Sequence, residues 1–413
     1  MAIKEAIILA GGLGTRLRDA IPDLPKCLAP IAGRPFLFYV INYLRSQGIE
    51  RIIFSVGYKH ELIVEYLYDQ FPTLDYKLSV EDEPLGTGGA IKLATTLTKE
   101  KNVVVTNGDT LYKADLIALH KFHDRKHSHC TIALKRMHQF DRYGVVEFDK
   151  DNRVTKFEEK RYYEEGLING GLYILNIEDF NKSSLPGKFS FEKDFLEKKT
   201  SGLYALEDPG YFIDIGVPDD YQRAQDDLKR QPLDLQQIDK TWTLFVDRDG
   251  VINYEKKDGY ILNIQEFKFY PGVPEAFKVF RERFGKTIVV SNQRGVGKGL
   301  MTLGDLEEIT YQMKQTIEQA GGRIDAVYHC DSTDNKHPER KPNPGMAFRA
   351  ARELTGIDLS KSIMVGNKPS DMRFGRNAGI YTVFVKTTNP EQPVPHPDID
   401  LAFDSLPDLA KAL

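Results

Sequence analysis

Several short segments of this 413-residue chain set reactive side chains directly behind apolar runs. Near the start, Ala6 to Leu9 opens into Ala10-Gly11-Gly12-Leu13-Gly14-Thr15-Arg16-Leu17, with Pro25-Lys26 just beyond. A strand that stops at a loop without bulky side chains lets backbone N–H groups close around phosphates. An arginine and a lysine at that spacing meet the charge a phosphate chain develops during transfer. Val103-Val104-Val105-Thr106-Asn107-Gly108 leads into Asp109, and Phe212-Ile213 leads into Asp214. Two carboxylates at strand ends are what Mg²⁺ needs to bridge phosphate groups. In the second half, Asp247-Arg248-Asp249-Gly250 follows Trp242 to Val246. Two aspartates one residue apart point the same way on an extended chain. One can attack phosphorus while the other protonates the leaving oxygen. Ser291-Asn292-Gln293 brings a hydroxyl and amides, Arg340-Lys341 brings cations, and Gly366-Asn367-Lys368-Pro369-Ser370-Asp371 brings an acidic end.

These residues must be held by sheets. Short apolar runs alternate with helical stretches throughout: Ile52 to Val56, Val103 to Thr106 and Thr131 to Leu134, then Thr287 to Val290 and Ile363 to Val365. That alternation predicts an α/β fold with parallel or mostly parallel sheets flanked by helices, and ligands at the carboxyl ends of strands. A chain of this length exceeds what one core usually holds. Tyr221 to Lys229 reads as a helix, Arg230-Gln231-Pro232-Leu233-Asp234 as a polar link, and Trp242 to Val246 as a fresh strand. The boundaries expected are therefore 1–230 and 241–413. The composition, 41% hydrophobic and 28% charged with a net charge of −4, is that of an ordinary globular protein and gives no electrostatic case for nucleic acid. The first apolar run is too short for a signal-peptide core, and no stretch approaches the roughly 20 apolar residues of a membrane span. Cys27, Cys130 and Cys330, odd in number and widely spread, suit a reducing cytoplasm.

The first half resembles the sugar-1-phosphate nucleotidyltransferases over about residues 3 to 228. The Gly-Gly-x-Gly-Thr-Arg-Leu and Pro-Lys pattern carries the likeness, with aspartates in the contexts of Asp109 and Asp214. So do a second glycine-rich turn at Glu83-Pro84-Leu85-Gly86-Thr87-Gly88-Gly89-Ala90, the pair in Glu158-Glu159-Lys160, and Asn169-Gly170-Gly171-Leu172-Tyr173. The resemblance implies nucleotide contacts from Leu9, Gly11, Gly12, Gly14, Thr15, Gly86, Thr87, Gly88 and Gly108. Arg16 and Lys26 would serve the triphosphate, Asp109 and Asp214 would hold Mg²⁺, and Glu159, Lys160, Asn169 and Gly171 would hold the sugar phosphate. The opening from Ala6 through Phe36 is most similar to guanylyltransferases acting on D-glycero-D-manno-heptose 1-phosphate. Glu81-Asp82-Glu83 could accept from the guanine N1–H and N2–H₂.

The second half resembles the haloacid-dehalogenase phosphatases, and within them the D-glycero-D-manno-heptose 1,7-bisphosphate 7-phosphatases, with histidinol-phosphate phosphatases as near relatives. The resemblance implies Asp247 as nucleophile, Asp249 as acid and then base, and Ser291 and Lys341 on the phosphoryl oxygens. Asn292, Gln293, Arg340 and Lys368 would hold the substrate, and Asp247, Asp249, Asn367 and Asp371 the Mg²⁺. Asn367 stands where an aspartate is usual, which removes one negative charge. Relatives often carry a cysteine-rich zinc loop, but Cys330 with His329 and His337 is too sparse for a tetrahedral site, so zinc is not expected. Together these resemblances imply two Rossmann-like domains, a mixed nucleotidyltransferase sheet followed by a parallel phosphatase sheet. The joint function implied is GDP-heptose synthesis, with GTP and heptose phosphates as partners, no nucleic acid or membrane, and room for a homo-oligomer. The competing expectations are a hexose-1-phosphate nucleotidyltransferase fused to a generic or histidinol-phosphate-like phosphatase, or one catalytically silent domain.

Overall fold

The structure, a computed structural model, describes residues 3–12, 24–57, 59–199, 201–257 and 259–413. The chain divides into two compact units, residues 1–230 and 231–413.

The first unit is built on a seven-stranded sheet. Its spatial order is Leu203–Glu207, Cys130–Phe140, Tyr163–Asn176, Asn102–Asn107, Glu5–Leu9, Arg51–Val56 and Asp75–Val80. Tyr163–Asn176 runs antiparallel to both of its neighbours, and the other pairs are parallel, so the sheet is mixed. Side chains alternate between faces along a strand. Ala6 and Ile8 enter one core with Ile52, Phe54 and Val104, while Ile7 enters another with Ile53, Val103 and Val105. Both faces being covered explains why these strands read as unbroken apolar runs rather than as alternating ones. The strand expected at Thr131 to Leu134 continues to Phe140. Its polar extension pairs with Tyr163 to Leu167, and Arg136 forms ion pairs with Glu165 and Glu207.

A two-stranded antiparallel ladder matters more for chemistry than its size suggests. Thr110–Tyr112 pairs with Phe212–Asp214, setting Asp214 opposite Thr110, and Ile215 N–H donates to Asp109 O at 3.0 Å. The following helix is Pro218–Asp227, which begins earlier than expected because Pro218 presets the first turn and Asp219 and Asp220 complement the helix dipole there.

The second unit carries a six-stranded, all-parallel sheet in the order Ala326–Cys330, Lys286–Asn292, Thr243–Val246, Ser362–Gly366, Tyr381–Val385 and Leu401–Phe403. Leu244 and Val246 face one apolar cluster and Phe245 the other. The segment expected as a free link is part of this unit. Ile238 is 3% exposed and packs into its core, joined by Leu233 and Leu235, and Arg283 Nη2 donates to Leu235 O. Polar composition hid three apolar anchors. Among the described residues no helix is long and apolar enough to cross a membrane.

Candidate active sites

In the first unit, the ends of Glu5–Leu9, Arg51–Val56 and Asn102–Asn107 open on a cavity of about 700 Å³. It is lined by Leu9, Gly11, Gly12, Lys26, Glu81, Gly86, Thr87, Gly108 and Asp109 among others. Gly14, Thr15 and Arg16 lie outside the described residues. Lys26, on a short 3₁₀ turn at Lys26–Leu28, reaches the Asp109 carboxylate at 3.1 Å. Gly108 N–H donates to Leu9 O at 2.8 Å, and a Cβ on Gly108 would lie 2.9 Å from that oxygen. Only glycine lets the two strand ends meet this closely.

Asp214 completes the charged end. Its Oδ1 accepts from Gly216 N–H at 2.7 Å and its Oδ2 from Tyr143 O–H at 3.4 Å. Burial and the nearby Asp109 charge raise the Asp214 carboxyl above its usual range, while Gly216 N–H and Lys26 pull it back. Two carboxylates close enough to destabilise each other, with one ammonium between them, form a site that a divalent cation would relieve. The same Asp109 charge, after burial, pushes the Cys27 thiol up to about 12, so Cys27 serves as packing rather than as a nucleophile.

The second glycine-rich segment is not a turn. Gly86–Thr95 is a helix, and its glycines answer to Phe189 and Gly187. A Cβ on Gly88 would sit 2.1 Å from the Phe189 ring, and one on Gly89 would sit 2.4 Å from Gly187 O. Gly86 and Thr87 line the cavity, whereas Gly88 N–H donates to Phe189 O. The small residues there admit a crossing loop as well as a ligand. Glu81, Asp82 and Glu83 all line the cavity, but Glu81 already accepts from Ser55 Oγ and Leu85 N–H.

The sugar-side residues do not line this cavity. Gly171 nevertheless abuts Asn107, which does: a Cβ there would lie 2.6 Å from Asn107 Nδ2. Asn169 Oδ1 accepts from Gly171 N–H at 3.0 Å, and its Nδ2 donates to Tyr173 Oη at 2.8 Å and to Glu192 Oε1 at 3.3 Å. Glu159 and Lys160 are exposed. Desolvation raises the Glu192 carboxyl above its usual range and Lys160 draws it back, although the residue as a whole is exposed. Sequence reasoning missed Tyr143 and Glu192, because neither stands in a recognisable motif.

In the second unit a cavity of about 940 Å³ opens at the strand ends and is lined by Asp247, Asp249, Ser291, Asn292, Gln293, Arg340, Lys341, Lys368 and Asp371 among others. Lys341 Nζ lies 2.7 Å from both Asp247 Oδ1 and Asp371 Oδ1, with the three side chains 2%, 8% and 1% exposed. Burial and Asp371 push Asp247 up to about 7 against the pull of Lys341. Lys341 is itself raised, because the two carboxylates outweigh burial. Asn292 fixes this lysine: its Nδ2 donates to Lys341 O at 3.1 Å and its Oδ1 accepts from Lys341 N–H at 3.0 Å.

Asp249, expected as acid and base and among the metal ligands, is held by protein donors. Its carboxylate accepts from Arg248 (2.9 Å), Asn253 Nδ2 (3.0 Å) and Gln293 Nε2 (3.0 Å). Burial opposes its charge, but Arg248 and these amides win and keep it below the usual carboxylate range. Gln293 Nε2 also donates to Ser291 Oγ at 2.6 Å, tying the hydroxyl to the acid. Arg248, the central residue of the Asp-x-Asp motif, is 2% exposed, a structural role its position in the motif does not reveal.

Asn367 is wholly buried. Its Nδ2 donates to Thr388 Oγ1 at 2.6 Å, while its Oδ1 is buried without a partner among the described residues. A bare amide oxygen is costly unless something binds it, and it suits a hard cation such as Mg²⁺. Gly250 makes room for this side chain: at φ +89°, a Cβ there would lie 2.1 Å from Asn367 Nδ2. Lys368 Nζ pairs with Glu255 at 2.6 Å. Where relatives often carry a zinc loop, Cys330 Sγ lies 3.4 Å from His337 Nδ1.

Comparison with known proteins agrees with this layout. A family model described as nucleotidyl transferase matches residues 5–231, and one described as HAD-hydrolase-like matches residues 339–409. The chain is 51% identical over 227 residues to the D-glycero-alpha-D-manno-heptose 1-phosphate guanylyltransferase of Aneurinibacillus thermoaerophilus, covering 54% of this chain and 98% of that one. It is 48% identical over 219 residues to the enzyme of the same name from Campylobacter jejuni, covering 52% and 96%. The crystal structure of HddC from Yersinia pseudotuberculosis complexed with GMP-PN superposes with a TM-score of 0.51 at 39% identity, covering 55% of this chain and all of that one.

Proposed function

This chain belongs to the nucleotidyl transferase family, whose model spans residues 5–231, and we propose that it is a bifunctional enzyme of GDP-heptose synthesis. Its second unit removes the 7-phosphate of D-glycero-D-manno-heptose 1,7-bisphosphate. Its first unit transfers GMP from GTP to the resulting heptose 1-phosphate, of the alpha configuration named for its relatives. The observation that carries this reading is 51% identity along 98% of a relative named for that guanylyl transfer. The buried Asp247–Lys341–Asp371 cluster supports the phosphatase half.

In the first unit the sugar phosphate is already ionised, so positioning and charge neutralisation supply most of the rate. A phosphate oxygen of the heptose 1-phosphate attacks the α-phosphorus of GTP, the α–β bridging bond breaks, and pyrophosphate leaves. Lys26 stands against the triphosphate charge, a role that the sequence motif also gives to Arg16. Asn169 and Lys160 face the sugar phosphate, and Glu192 joins them as an acceptor.

In the second unit Asp247 attacks the phosphorus and the bond to the C7 oxygen breaks, leaving an aspartyl-phosphate. Asp249, ionised while Arg248 holds it, takes up a proton from solvent as the bound substrate displaces that contact, and gives this proton to the leaving oxygen. It then takes a proton from the water that releases phosphate. Lys341 and Ser291 hold the phosphoryl oxygens throughout. Asp109 and Asp214 would hold Mg²⁺ in the first unit, and Asp247, Asn367 and Asp371 in the second. When bound, the ion supplies charge neutralisation at the phosphoryl oxygens. The three cysteines are buried and unpaired, which suits a cytoplasmic setting.

The test crosses four nucleoside triphosphates with heptose and hexose 1-phosphates in Mg²⁺, following pyrophosphate and phosphate separately. GTP with heptose 1-phosphate should release pyrophosphate fastest, and the 1,7-bisphosphate should release one phosphate. Preference for a hexose 1-phosphate would overturn the assignment of the sugar.

A further inference from the structure

Two arginines in the second cavity have no role in the chemistry just described beyond a general hold on substrate. Arg294 Nη2 donates to Thr333 O at 3.1 Å and to Asn335 Oδ1 at 2.6 Å. Arg340 Nε approaches the same Asn335 Oδ1 at 3.4 Å, and its Nη1 donates to Ser332 O at 3.4 Å. Two guanidiniums thus share one amide oxygen, and neither pairs with a carboxylate among the described residues. Arg294 Nε is buried without a partner. Burial and the Arg294 charge hold Arg340 below its usual range, the mark of a cation pair that lacks its anion.

Their placement is fixed by the machinery itself. The two-way clamp between Asn292 and Lys341 ties the end of one strand to the loop that carries the phosphoryl-binding lysine. Arg294 stands two residues beyond one side of that clamp, and Arg340 stands immediately before the other. Both line the cavity that contains Asp247, Ser291 and Lys341. At about 940 Å³ that cavity is far larger than one phosphoryl group needs. A dianion with three terminal oxygens matches two guanidinium forks better than a single carboxylate does.

We propose that Arg294, tethered by Asn335 beside Arg340, contacts the second, non-reacting phosphoryl group of the substrate and is the residue that sets how strongly this unit prefers sugar bisphosphates over monophosphates. The inference rests on the phosphatase reading above and adds Arg294 as the residue that sets selectivity. Its charge acts on the distal end of the substrate, so its loss should appear in KM more than in kcat.

The experiment compares kcat/KM for D-glycero-D-manno-heptose 1,7-bisphosphate and the 7-monophosphate with the full chain in Mg²⁺. The wild type should favour the bisphosphate. Arg294→Gln should cut that preference by about tenfold or more, on the scale of one lost charge-assisted contact, with Arg294→Lys intermediate. A merely structural role would lower both substrates together and keep the ratio. An unchanged ratio in Arg294→Gln, or a wild type without preference, overturns the proposal. If the chain hydrolyses p-nitrophenyl phosphate but neither heptose phosphate, the heptose assignment fails while the anchor remains measurable. Fructose 1,6-bisphosphate should then inhibit that hydrolysis more tightly than fructose 6-phosphate, and Arg294→Gln should erase the difference. A chain that hydrolyses none of these refutes both readings.

Discussion

Replacing Lys341 by methionine removes a buried cation while nearly preserving side-chain length. In the wild type its ammonium lies 2.7 Å from two carboxylates that are almost without solvent. At an effective dielectric of about 20, each contact is a gross attraction of about 6 kcal/mol, most of which offsets desolvation. Breaking such a buried set by removing one partner costs about 3–5 kcal/mol, a large share of the roughly 5–15 kcal/mol that holds a domain together. Asp247, already raised to about 7 by burial and Asp371, loses its compensating cation and rises further. A carboxyl raised on folding contributes stability that is complete below its unfolded value of 3.8 and is lost as pH rises through about 7. The deficit of Lys341→Met should therefore be largest near pH 8 and shrink by about 1.4 kcal/mol per pH unit per proton as the carboxylates protonate. The only tryptophan, Trp242, packs against Tyr381 with ring centroids 5.6 Å apart, so its fluorescence follows urea unfolding of the second unit in the presence of a chelator. Phosphate release should vanish while pyrophosphate release continues. A variant as stable as wild type at pH 8, or one whose deficit grows as pH falls, would refute the reasoning.

Asp109→Asn and Asp214→Asn should each lower pyrophosphate release by at least about a hundredfold, on the scale of one lost transition-state charge contact. Phosphate release should persist in both, and near-normal guanylyl transfer in either removes that residue from the metal site. Asn367→Asp restores a charge beside the phosphatase centre, and Thr388 can turn its hydroxyl to donate to it. Mg²⁺ titration of phosphate release should show half-saturation at a lower concentration than in wild type, and an unchanged midpoint would exclude Asn367 as a ligand. We expect residues 1–230 and 231–413 to fold as separate fragments. A fragment beginning at 241 should unfold with about 2 kcal/mol less stability than one beginning at 231, because Ile238 leaves the core; equal urea midpoints would count against that packing.

The motifs were legible because each is a local event. An apolar run followed by glycine or aspartate announces a strand that ends at chemistry, and that signal needs no knowledge of the partner strand. Two α/β units, the Asp-x-Asp pair and Asp109 and Asp214 all came from such runs, and Lys26 came from its spacing to the first glycine-rich loop. What residues do to one another across the fold was not local. The ladder between Thr110–Tyr112 and Phe212–Asp214 brings Asp214 to Asp109, and neither short strand announces its partner. Gly88 and Gly89 read as a flexible turn, but they sit inside a helix because Phe189 and Gly187 cross it from a distant loop. Gln231 to Lys240 reads as a link, yet three apolar side chains among polar neighbours fasten it to a core that forms elsewhere. Arg248 and Asp249 look like motif and filler until burial makes the arginine the partner that keeps the acid ionised. Side-chain type and strand-end position follow from nearest neighbours, so the sequence by itself determined which chemistry is present. Contact, burial and charge pairing depend on residues far apart in the chain, and only the tertiary structure decided those.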